Sequence, residues 1–168
     1  MYDKLKSIGW TIIGTGIVLA MIMLTIFFIK GGVWLASKVL PWLQVIMWLV
    51  FTLDILIILP LGIFKKTKGA SGIALFLSSF VYGLTLWLWG LLLTYMIWGI
   101  VPVIIGLFIM GVGVVPIAML AVAIEGDWAI FWQLILLLVI TVGSRALGYY
   151  FTRRADELAY QSRFEEVQ

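Results

Sequence analysis

A chain of 168 residues with 64% hydrophobic and only 11% charged residues lies far from the roughly 25% charged composition of soluble domains, so water is not its main solvent. It contains no His and no Cys, which removes imidazole and thiolate ligands for haem, zinc, copper or iron–sulfur clusters, any disulfide, and Cys- or His-based nucleophilic chemistry. The net charge of +3 is small and spread through loops and ends, which argues against a nucleic-acid surface; no cofactor or metal site is expected.

In chain order, a short polar start from Tyr2 to Ser7 precedes an apolar run over residues 8–29. Its core of about 20 residues exceeds the apolar core of a cleaved signal, and no small-residue cleavage site follows closely, so it reads as a retained first span. Lys30-Gly31-Gly32 breaks the pattern, residues 33–40 suit an interface, and Pro41 suits the first turn of a second span reaching residue 64. The basic loop Lys65-Lys66-Thr67-Lys68-Gly69 ends it, and a third span occupies residues 71–95.

The next apolar stretch, residues 98–124, is interrupted by Pro102, Gly106, Gly111, Gly113 and Pro116. An acidic loop, Glu125-Gly126-Asp127, separates it from a last span at 128–150. These runs are long and lack the apolar–polar alternation of barrel strands, so the predicted fold is all-α: a polytopic transmembrane helical bundle over residues 1–150. A short polar tail follows at 151–168, in which Tyr160, Phe164 and Val167 recur at helical spacing.

Two topologies follow for the five apolar segments. If all five cross, basic residues divide evenly: Lys4, Lys6, Lys65, Lys66 and Lys68 on one side, Lys30, Lys38, Arg153, Arg154 and Arg163 on the other. That balance specifies no orientation under the positive-inside rule. If instead 98–124 is a re-entrant hairpin turning at Gly111-Val112-Gly113, eight of those residues lie inside against Lys30 and Lys38 outside. Most tryptophans, including Trp34, Trp42, Trp87, Trp89, Trp98, Trp128 and Trp132, then fall toward the outer side, with Trp10, Tyr149 and Tyr150 toward the inner one.

The candidate site begins with Asp54, set in the apolar stretch FTLDILIILP. It lies roughly 18 Å of helix from Trp42 and roughly 16 Å from Lys65, near mid-bilayer. A charge there costs on the order of 2.5–3.5 kcal/mol on insertion scales, so Asp54 is expected to face protein. Ser78, Tyr82, Thr85 and Trp89 form one helical stripe on the third span and are its expected partners. Arg145, the other charge inside a span, either snorkels toward Tyr149 or pairs with Asp54. Small residues at spacing four (Gly16 and Ala20, Ala74 and Ser78, Ser79 and Gly83, Ser144 and Gly148) mark close helix contacts, within one chain or between copies.

These residues form no nucleophile–base pair and no paired-carboxylate site, so the expected function is non-enzymatic. One reading is a small transporter or channel subunit with Asp54, Ser78, Tyr82, Thr85 and Arg145 as an ion or proton path. The other is a subunit that anchors or assembles a larger membrane complex, with Asp54 as helix–helix glue. Both place the chain in a lipid bilayer, expected to be a bacterial inner membrane, as a homo-oligomer or beside a partner subunit.

Overall fold

The computed structural model describes the backbone of residues 2–64, 67–109 and 111–165 and the side chains of 14–64, 67–109 and 111–157. Lys4, Lys6, Trp10, Lys65, Lys66, Arg163 and the Tyr160–Phe164–Val167 stripe therefore lie outside the described side chains. Among the described residues every regular element is helical. In order they are α1 (Tyr2–Leu53), a π-helical turn (Asp54–Ile58), α2 (Leu59–Leu61), α3 (Lys68–Trp98), α4 (Ile100–Phe108), α5 (Val114–Glu125) and α6 (Trp128–Glu165).

Three helical stretches are long and apolar enough to cross a membrane: Gly14–Leu61, Lys68–Trp98 and Trp128–Glu157. This corrects the expected separation of a first and a second span. The helix runs unbroken through Lys30-Gly31-Gly32 and carries Pro41 in its interior. Glycine costs a helix only about 1 kcal/mol relative to alanine, which apolar surroundings that favour internally paired backbone readily offset. Ser37, one turn before Pro41, donates to the Trp34 carbonyl at 2.7 Å, a local hydroxyl bond of the kind that accompanies proline in apolar helices.

α3 is the central element. It runs antiparallel to α6, as the pairings of Gly72 with Gly148, Ser79 with Arg145 and Gly83 with Thr141 require. At the first of these the two backbones touch: a Cβ on Gly72 would lie 2.8 Å from the Gly148 carbonyl and 2.6 Å from Thr152 Oγ1. The small residues Ser79, Gly83 and Gly148 therefore serve contact within one chain, whereas Gly16 has no neighbour at its Cβ position. α1 also packs on α3, through Val33, Ala36 and Leu40 against Trp87, Leu91 and Leu92.

Because α3 and α6 are antiparallel, Trp98 and Trp128 sit at the same end of the bundle, and the chain between them must leave and return there. It does so as a hairpin: α4 and α5 are joined through Gly111 (φ +71°) and pack so closely that a Cβ on Gly106 would lie 3.0 Å from Val114 Cα. At 1.5 Å per residue α4 and α5 are about 14 and 18 Å long, each well short of the roughly 30 Å hydrocarbon layer. Neither helix alone is long enough for the plain crossing by residues 98–124, one of the two expected alternatives. Trp87 Nε1 donates to the Gly111 carbonyl in the turn at 2.7 Å and Thr94 Oγ1 to that of Val114 at the start of α5 at 3.3 Å, so α3 side chains hold the hairpin by its backbone. The hairpin buries Val103, Val114, Ala118, Ala121 and Val122.

Candidate functional site

Asp54 opens the π-helical turn, where the Leu59 N–H bonds to the Asp54 carbonyl. The wider turn lies immediately before Pro60, which has no N–H to offer the preceding turn of an α-helix. Helical geometry places Asp54 roughly 10 Å from the end of α2 at Leu61. Its side chain is 3% exposed, turned inward against α3 and away from the lipid-facing surface.

Two hydroxyls from α3 meet the carboxyl group. Ser78 Oγ donates to Asp54 Oδ1 at 2.8 Å and Tyr82 OH donates to Oδ2 at 2.7 Å. Ser78 and Tyr82 are one helical turn apart, so both reach the same partner from one face. Phe51, a turn before Asp54 on α1, packs edge-on against the Tyr82 ring with centroids 6.5 Å apart. No buried side-chain oxygen or nitrogen among the described residues lacks a partner.

The arrangement accommodates two protonation states. As a carboxylate, Asp54 accepts from both hydroxyls. With a proton bound, its O–H can donate to Ser78 Oγ while the serine hydroxyl turns to the carbonyl one turn earlier in its own helix.

Other expected members of the site are placed elsewhere. Thr85 is buried, but its hydroxyl donates to the Val81 carbonyl of its own helix at 2.8 Å. Arg145 does not pair with Asp54. It lies on the α6 side of α3, with Nε 3.4 Å from Ser79 Oγ and the guanidinium over Phe80 and Phe76 at 5.2 and 5.9 Å. Ser78 and Ser79 are successive residues whose side chains leave the helix in directions about 100° apart, so one serves the acid and the other the base.

A groove of about 530 Å³ adjoins the site, bounded by Gln44, Trp48 and Phe51 of α1, Tyr82 and Trp89 of α3, and Gln133 of α6, among other apolar residues. Tyr82 thus belongs to both the groove wall and the Asp54 pair, while Asp54 itself does not line the groove. Gln44 and Gln133 escaped the sequence-based expectation. Their signal was available, because they are the only carboxamides within the apolar runs and such groups are costly in hydrocarbon.

Comparison with protein-family models, curated proteins and solved structures gave no match to this chain.

Proposed function

We propose that this chain is a small integral membrane transporter or channel subunit in which Asp54 is a proton- or cation-responsive group. The observation that carries the reading is the position of Tyr82, whose hydroxyl holds Asp54 and whose ring borders the groove between α1 and α6. A change of charge on Asp54 alters what the Tyr82 hydroxyl can donate to, and so couples protonation to the groove wall. A helical set this small encloses little lumen, so the working unit is a homo-oligomer or a complex with a partner membrane subunit.

Charge supports an orientation for this unit. Lys68, Arg153 and Arg154 lie at the end of the bundle opposite Glu125 and Asp127, which supports an orientation with the former inside and the latter outside a bacterial-type inner membrane. The α4–α5 hairpin is then re-entrant from the outer face.

A second reading has its own support: both Asp54 oxygens are occupied by hydroxyls of α3, as expected of helix–helix glue in an assembly or anchoring subunit. Asp54→Asn separates the two in purified, reconstituted protein, because the amide keeps hydrogen-bonding capacity and loses the titratable charge. Under the transport reading, ion or solute flux or its pH dependence is lost while the fold and oligomer persist. Unaltered flux with unaltered assembly would retire the transport reading.

A further inference from the structure

The length of the first helix conflicts with the solvent it is built for. Gly14–Leu61 is an uninterrupted apolar stretch of 48 residues. At 1.5 Å per residue that is roughly 72 Å, more than twice the hydrocarbon thickness of about 30 Å. The portion from Val33 onward packs on α3. Since α1 is antiparallel to α3, as the Asp54–Ser78 bond and the cluster joining Ala36 and Leu40 to Leu91 and Leu92 show, Lys30 lies roughly level with Trp98, and residues 14–28 project past that end of the bundle. Apart from the half-buried Thr25 and Ile26 their side chains are bare: Met23 is 77% exposed and Phe27 81%. An arm of this composition held in water would forfeit roughly 25 cal/mol for every Å² of apolar surface left wet.

The bundle has an opening of matching chemistry. α3 is covered on two sides: by α1 at Ser78 and Tyr82, and on a second face by α6 at Gly72 and Gly83 and, further along, by the hairpin at Gly90 and Thr94. The groove lies on the face of α3 that carries Tyr82 and Trp89, between α1 and α6, whose backbones stay apart across it.

We infer that, in the membrane, α1 bends at Lys30-Gly31-Gly32 and residues 14–28 fold back as a separate span into the groove between α1 and α6 of the same chain. A Cβ at Gly31 or Gly32 would meet nothing, so the bend itself is unpacked although Ile29 beside it is buried, and Lys30 places a charge at the turn where the chain leaves the bilayer. Folding back about this point brings Val18 level with Gln44 and Gly14 level with Trp48, so Gly16 and Ala20, one turn apart, offer a narrow helix surface to a groove walled by Trp48, Trp89 and Trp132. It also returns Lys4 and Lys6 to the end that carries Lys68, Arg153 and Arg154, in line with the positive-inside rule. The inference rests on the membrane orientation proposed above and is independent of transport.

The chain has no native cysteine, so paired substitutions report cleanly. Single cysteines at each position from 16 to 20 are combined with Leu136→Cys on the groove wall and treated, in native membranes, with a short bismaleimide. A companion single variant, Val18→Cys, is exposed to a membrane-impermeant maleimide from outside intact cells. Docking predicts no external labelling of Val18→Cys, and a cross-link within one chain that peaks at one face of residues 16–20. A straight arm leaves Val18 and Leu136 roughly 40 Å apart by helix rise, beyond the reagent. External labelling would overturn the fold-back itself. Protection without any cross-link, or with cross-links only between two chains, would overturn docking in the chain's own groove. If Glu125→Cys, in a separate single variant, is protected from the same external reagent, it is the orientation that fails and not the docking.

Discussion

The two faces of α3 hold their neighbours by opposite means. Toward α1 it presents Ser78 and Tyr82, whose hydroxyls bind a carboxyl group that has no other partner among the described residues. Toward α6 it presents Gly72, Ser79 and Gly83, which have almost no side chain and let backbones meet. In hydrocarbon, apolar area gives little preference for helix over lipid, so association depends on polar bonds or on close packing. α3 uses one on each side. Each intramembrane charge follows its face: Asp54 is enclosed, whereas Arg145 stays exposed at the rim of the tight contact, over two aromatic rings.

The sharpest break of this contrast is on the close-packed face. Gly72→Leu puts a side chain where even a Cβ would sit 2.6–2.8 Å from α6 atoms, and overpacking of this kind costs about 3 kcal/mol or more. Unfolding titration in bicelles should show a larger loss for this change than for any single substitution at Asp54, Ser78 or Tyr82. A loss below that of any polar-face variant would mean the helices separate there at little cost.

On the polar face, Tyr82→Phe leaves Asp54 Oδ2 without its donor, at an expected cost of about 1–2 kcal/mol. The triple change Asp54→Leu, Ser78→Ala, Tyr82→Phe should recover much of that loss, because no orphaned acceptor remains. Ser78→Ala alone should cost less, about 0.6 kcal/mol, the average for a hydrogen bond between helices in a membrane. A double-mutant cycle between positions 54 and 82 isolates the pair, and zero coupling would contradict the bond.

Arg145→Met removes ring contacts worth about 0.5–1 kcal/mol at an exposed position. Ser79 keeps its 2.6 Å bond to the Phe76 carbonyl, so no buried group is orphaned. The smallest effect belongs to Thr85→Val, because the threonine hydroxyl serves only its own helix; the same titration should place it within about 0.5 kcal/mol of the parent. A large loss at Thr85 with none at Ser78 would reverse the assignment of the site.

Much of the Asp54 site was legible from residue spacing. An acid in an apolar run must turn inward, and Ser78 and Tyr82 stand one turn apart on one stripe, so their convergence follows from helix periodicity. Thr85 shares that stripe, yet a threonine on a helix can bond the carbonyl one turn back, and sequence does not say which acceptor wins. Arg145 was equally compatible with pairing and with snorkelling. The choice depended on which face of α3 receives α6, a packing fact.

Composition and run length alone determined that the chain is helical and suited to a bilayer, because a backbone in hydrocarbon must satisfy its own hydrogen bonds whatever its neighbours do. The irregular positions were visible too: glycines at 106, 111 and 113 and prolines at 60, 102 and 116 are local properties of the chain. What those positions do was decided by tertiary contact. Gly106 and Gly113 close a hairpin because α5 packs back on α4, whereas Gly31 and Gly32 continue the helix of this structure with nothing packed against them. Glycine permits either outcome at small local cost, so the contacts available at each site select between them.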